Sequence, residues 1–125
     1  MSTEQINDND KLFAALSYVI WPVAVIVLLS ESNKKRPFQR YHAVQALGFA
    51  VAAFAVYAAF GCIYSVIILV ANAIADILGT LVACIWVPIW LIPVGLALWF
   101  AYRAYQGELF EIPYVTDFVR SQGWL

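Results

Sequence analysis

The chain has 125 residues, of which 64% are hydrophobic and only 12% charged, with a formal net charge of −1. A soluble domain usually carries about a quarter charged residues, so a water-soluble globule is excluded. The absence of a basic stripe with interleaved aromatics speaks against a nucleic-acid partner. A chain of this length makes one domain, here a single membrane domain over residues 1–125.

The charges define the elements. After Lys11 come 19 residues without an acid or base, Leu12 to Ser30. After Arg40 come 35, Tyr41 to Ala75, with only His42 titratable, and after Asp76 come 26, Ile77 to Tyr102. A helix needs about 18 or more apolar residues to cross roughly 30 Å of hydrocarbon. Every backbone polar group in the span must pair inside the protein, and the runs are continuous rather than alternating, which favours helices over a barrel. The expected fold class is therefore all-α: a polytopic bundle of three transmembrane helices at about 12–30, 41–71 and 78–102, with a cytoplasmic tail 103–125. The first run is not read as a signal peptide, because Glu4, Asp8, Asp10 and Lys11 before it sum to −2 where a basic region is required.

Pro22 predicts a kink in the first span. The middle run is long for one upright helix and short for two. A split at Gly61 would give a four-span alternative, but no turn residue marks it, and one tilted helix is preferred. With three spans, Lys34, Lys35, Arg36, Arg40, Arg103 and Arg120 share one side and Lys11 the other. The positive-inside bias then places the N-terminus outside and the C-terminus in the cytoplasm of a bacterial plasma membrane or a derived internal membrane. Tyr41, Trp99, Tyr102 and Tyr105 fall where interfacial anchors belong. Gly48, Ala52, Ala55 and Ala59 form a row at four-, three- and four-residue steps, a helix-packing face. That face serves packing within the chain, self-association or contact with other membrane subunits. Pro88 and Pro93 distort the last span.

Two polar constellations stand out. The first joins Arg36, Phe38, Arg40, His42 and Gln45 at the start of the second span, with His42 and Gln45 on one helix face. It suits lipid phosphate, a neighbouring helix end or a partner. The second is the tail, with Gly107 as helix C-cap and Glu111, Pro113 and Asp117 leading into a short interfacial helix. In that helix Val115, Phe118 and Val119 form the apolar side and Thr116, Asp117 and Arg120 the polar one. These nine residues are the candidate partner or lipid docking positions. A lone His42 lacks the partner ligands of a metal or haem site, and Cys62 and Cys84 read as small apolar residues. No nucleophile–base set, HExxH or phosphate loop is present, so no cofactor and no enzyme activity are expected.

Together the two constellations resemble one family. Phe38-Gln39-Arg40-Tyr41-His42-Ala43-Val44-Gln45-Ala46 resembles one signature, and Gln106-Gly107-Glu108-Leu109-Phe110-Glu111-Ile112-Pro113-Tyr114-Val115-Thr116-Asp117 resembles a second. Both belong to the twenty-kilodalton subunit of the chloroplast inner-envelope protein translocon and its short bacterial relatives. The resemblance implies a small component of protein import acting by helix packing and partner docking, with one span fewer than the four-span chloroplast members. The alternative is an accessory structural subunit of a respiratory or photosynthetic complex.

Overall fold

A computed structural model describes residues 5–125. Its five elements are all helices: α1 (Asp8–Val19), α2 (Trp21–Leu29), α3 (Pro37–Ile74), α4 (Asp76–Tyr105) and α5 (Val115–Ser121). The chain divides into two compact units. One comprises residues 5–52 and Leu96–Leu125; the other is Ala53–Gly95.

The first expected span is corrected by the structure. Residues 12–30 do not form a crossing helix but two short ones that pack against each other. α1 starts on a capping box: the Asn7 side chain accepts from the Asp10 N–H at 2.9 Å, and the Asp10 carboxylate accepts from the Asn7 N–H at 3.1 Å. Such a box satisfies two of the amides that a helix start leaves unpaired. The helix stops at Ile20, whose backbone is extended (φ −124°, ψ 94°), and α2 begins at once with Pro22 in its first turn. Proline has no N–H to continue α1 but fits a helix start. What the sequence suggests as a kink is a reversal. Leu29 is followed by a run of turns, yet Arg36 Nε lies 2.5 Å from Asp10 Oδ1 near the start of α1. A straight helix from Asp10 to Leu29 would carry the chain about 28 Å away; the ion pair forms because α2 returns.

Among the described residues two helices, α3 and α4, are long and apolar enough to cross a membrane, not three or four. All of the 35-residue run but Ala75 lies in one helix, unbroken at Gly61. Ala75 alone separates α3 from α4. In the second unit the stretches 53–74 and 76–95 are about 33 and 30 Å long at 1.5 Å per residue, matching the hydrocarbon thickness. Asp76 is its one charged residue, and Phe54, Leu69, Ile74 and Leu81 are exposed on its surface.

One proline of α4 has an observed compensation. Pro93 cannot donate to the carbonyl four residues back, Ile89. The Tyr57 hydroxyl of α3 donates to that oxygen at 2.8 Å. Its ring packs near Trp86 and Trp90, and Tyr64 stacks on Trp86 at 4.7 Å while donating to the Val82 carbonyl. In hydrocarbon no water would replace the missing bond. Tyr57→Phe is therefore expected to cost about 1 kcal/mol, the usual size of an interhelical bond in a membrane. Pro93→Ala restores the helical donor, so Tyr57→Phe added to Pro93→Ala should cost clearly less. Unfolding of the four variants in detergent measures the difference.

A buried polar junction as candidate functional site

The first unit contains a polar core that sequence spacing assembles only in part. Its apolar frame is Ala14, Tyr18, Ala24, Val27, Phe38, Ala43, Ala46, Phe100, Ala101, Ala104, Phe110 and Ile112, drawn from α1, α2, α3, α4 and the segment before α5. Phe100 stacks on Phe110 at 5.5 Å, and His42 lies 4.6 Å from Phe38 and 5.2 Å from Phe110, centroid to centroid.

Inside that frame the hydrogen bonds run in one direction. The Ile112 N–H donates to Thr116 Oγ1 at 2.8 Å, and that hydroxyl donates to Gln45 Oε1. Gln45 Nε2 donates to Tyr18 Oη at 3.0 Å and to the Phe110 carbonyl at 3.1 Å. Tyr18 Oη meets His42 Nδ1 at 2.8 Å, and His42 Nε2 meets the Glu108 carbonyl at 2.8 Å. A carbonyl only accepts, so the partners assign the proton to Nε2 and leave Nδ1 to accept from Tyr18. Every amide proton and the carbonyl oxygen of Gln45 are thus used. Tyr41 adds a 2.7 Å bond to the Phe110 carbonyl. The chain of donors ties α1, α3 and α5 to the backbone of residues 108–112.

A second cluster closes the open end of the α1–α2 hairpin. The Asp10 carboxylate, fully buried, accepts from Arg36 Nε and Nη2 at 2.5 Å each and from Gln39 Nε2 at 2.6 Å. Burial works to raise the Asp10 pKa. Hydrogen bonds from Arg36, Gln39 and the Asn7 amide, with the Arg36 charge, outweigh it and hold the carboxyl below its ordinary 3.8.

The candidate docking positions fall into two groups. Phe38, His42 and Gln45 are buried in the core, Arg36 grips Asp10, and Gly107 terminates α4. Gly107 has φ 85°. Its N–H bonds the Ala104 carbonyl and the Glu108 N–H that of Arg103, the paired closure of a Schellman motif. Arg40, Glu111, Pro113 and Asp117 are exposed. Glu111 pairs with Arg120 at 2.8 Å, and Glu108 with Arg103, whose guanidinium also covers the Phe110 ring. Of the packing row, Gly48 faces α5: a methyl there would stand 3.0 Å from the Cγ1 atoms of Val115 and Val119. Ala52 is half-buried, while Ala55 and Ala59 are exposed. α5 itself is turned relative to expectation, with Thr116 buried and Phe118 exposed.

Sequence reasoning missed Asp10, Tyr18 and Thr116. The signal was the pair Ser17 and Tyr18 inside an apolar run, but three crossings put α1 and the tail on opposite sides and forbade their contact. Among the described residues no group of three or more His, Cys, Asp or Glu side chains is placed to hold a metal ion.

A model described as the magnetosome magnetite crystal formation protein family matches residues 9–119. No curated protein and no solved structure matches the chain. The family match overturns the resemblance to the chloroplast translocon subunit. With it go the roles in protein import and, as the alternative, in a respiratory or photosynthetic complex. The reason lies in the geometry: the two motifs behind that resemblance, residues 38–46 and 106–117, are the two halves of the buried junction. They encode how the chain packs, and a packing pattern carries no task of its own. The two apolar helices and the family agree on a membrane protein, and the chain belongs to the MamF/MmsF family of magnetosome magnetite crystal formation proteins.

Proposed function

We propose that this protein serves magnetite crystal formation as a membrane-anchored organiser that acts by binding and not by catalysis. The observation that carries this reading, beside the family, is the separation of charge. All seven basic residues and all acids but Asp76 lie outside the stretch 53–95. That stretch is the anchor; the remainder is a head whose shape is fixed by the buried junction.

With two crossings, the residues before α3 and after α4 share a side. The basic residues Lys11, Lys34, Lys35, Arg36, Arg40, Arg103 and Arg120 then all sit there, which the positive-inside bias assigns to the cytoplasm. The opposite face receives the turn around Ala75, with Asn72, Asp76 and Thr80. A mineral on that side meets a single carboxylate of this chain, so the head acts through other membrane components or a second copy. Arg40, Glu111, Pro113 and Asp117 are the residues of the head that reach outward for such contacts.

Deleting the gene in a magnetite-forming host is expected to change crystal size or shape, and the full chain to restore it. A variant with Arg40, Glu111 and Asp117 replaced by alanine should reach the membrane in normal amount and fail to restore the crystals. Crystals unchanged by the deletion, measured by electron microscopy, would refute the reading.

A further inference from the structure

The tail reaches α3 through a strained corner. Tyr114, just before α5, has φ 67° and ψ −41°, and among the described residues no other non-glycine residue has a positive φ. The Val115 N–H donates to the Pro113 carbonyl at 2.8 Å, so residues 113–115 form a γ-turn of the rare, strained hand. A bulky side chain disfavours that backbone. The Tyr114 ring is 85% exposed, so its own packing does not compensate. Such strain persists only where the surroundings over-determine it, and here both flanks are fixed. Ile112 is buried in the core. The Thr116 N–H donates to the Ile112 carbonyl at 3.0 Å, and the Thr116 hydroxyl accepts from the Ile112 N–H at 2.8 Å.

We propose that α5 exchanges between two copies of this chain, each tail seating on its partner's α3, with residues 113–115 as the hinge. Three observations converge. First, the native occupant of the seat is α5 itself. Val115 and Val119 lie over Gly48, and the Thr116 hydroxyl donates to Gln45. The α5 of a second copy brings the same atoms, so it fits as well as the chain's own. Second, the exchange keeps the bonds that hold the tail. Thr116 to Gln45, Ile112 to Thr116 and Glu111 to Arg120 all re-form across the two chains. The bond given up is the one that closes the γ-turn. Third, the hinge favours opening. Tyr114 relaxes once its φ turns negative, and Pro113 suits an extended linker. A short hinge under strain invites exchange of this kind.

The reach of the hinge fixes the form of the pair. Opened, residues 112–116 span about 13 Å at roughly 3.3 Å per residue, so the Gly48 faces of the two copies must adjoin. Two copies in one membrane present their heads on the same side, as a twofold axis along the membrane normal requires. Reciprocal exchange about that axis closes the pair and leaves no free tail. The dimer is then held by the contacts of the buried junction itself, not by a new surface.

The full chain, with Cys62 and Cys84 changed to alanine, tests this. One tagged copy carries Gly48→Cys, and a differently tagged copy carries Val115→Cys. Expressed together and oxidised in the membrane, they should form a disulfide that joins the two tags, because exchange brings residue 115 of one copy onto residue 48 of the other. A side chain at position 48 crowds Val119, so a second measurement leaves Gly48 in place. Glycine takes a positive φ without steric cost. Tyr114→Gly should therefore lower the dimer fraction several-fold, read by light scattering in detergent. Tyr114→Ala keeps the strain and should stay close to wild type. Tags that never join, while the Gly48→Cys chain still dimerises, would overturn the exchange. So would a wild type that stays monomeric, or a dimer fraction equal in the glycine and alanine variants. The inference goes beyond the role in crystal formation and needs only two copies in one membrane, so its failure leaves that role standing.

Discussion

Replacing Gln45 by leucine is expected to be the most damaging single change in the head. The leucine is close in volume, so packing is nearly kept. What it removes is the centre of the donor chain. The Thr116 hydroxyl loses its acceptor, and the Tyr18 hydroxyl and Phe110 carbonyl lose a donor. Gln45 is fully buried and Thr116 1% exposed, so water does not replace these bonds without opening the fold. A buried polar group left unpaired costs about 1–3 kcal/mol. Tyr18 keeps His42 and Phe110 keeps Tyr41, so the total should be about 3 kcal/mol rather than three full penalties. The loss should concentrate in α5, whose hold on α3 is Thr116 on Gln45 and the two valines on Gly48. Limited proteolysis after Arg120 should become faster while α3 and α4 stay protected. Thr116→Val in the same background removes the stranded hydroxyl, and the double variant should lose less than the sum of the singles. Strict additivity would show that the donor chain is not a unit.

The junction also explains which parts of the fold the sequence discloses. Charge spacing is a one-dimensional signal, and α3 and α4 follow from it because a long uncharged run needs no tertiary partner to become a crossing helix. The same signal misreads residues 12–30, where the outcome depends on a tertiary contact. One proline permits either a kink or a reversal, and the Asp10–Arg36 pair, 26 residues apart in sequence, accompanies the reversal. Counted as a crossing, the first run puts Asp10 on the far side of the membrane and Tyr18 inside it, so their partners Arg36, His42 and Gln45 read as a surface. The motif pattern of residues 38–46 and 106–117 was visible, but its meaning was internal. Periodicity over the seven residues of α5 is too short to fix which side faces the core. The small residue at Gly48 is the better guide, because it shows where a close neighbour must lie. The compensation of Pro93 by Tyr57 has no signature in spacing at all; it joins two helices through a side chain whose hydroxyl has no partner in its own sequence neighbourhood.

The second large effect is expected at Arg36. Asp10 is fully buried while the Arg36 side chain is 36% exposed, so the two partners are not equivalent. Removing Arg36, as Arg36→Met, leaves a buried carboxylate with only Gln39 and the Asn7 amide. Breaking a fully buried pair from one side costs about 3–5 kcal/mol; solvent at the guanidinium screens this one, and about 2–3 kcal/mol is expected. Asp10→Asn should cost less, because its one oxygen still accepts from the Asn7 N–H, its NH2 can donate to Gln39 Oε1 once that amide turns over, and no buried charge is stranded. The pH dependence follows from the direction of the shift. The folded pKa of Asp10 lies below the ordinary 3.8, so the unfolded chain takes up the proton first as pH falls. The contribution of the ion pair is then complete above about pH 4 and lost as pH drops through the folded value. Thermal unfolding in detergent should show wild type losing stability over that acid window more steeply than Asp10→Asn. In Arg36→Met the carboxyl is relieved of its cation and keeps its burial, which moves its pKa upward from the wild-type position, so acidification should cost that variant less stability than it costs wild type. An Arg36→Met protein that weakens with acid just as wild type does would mean that Asp10 is not held by the guanidinium, and that the hairpin closes for another reason.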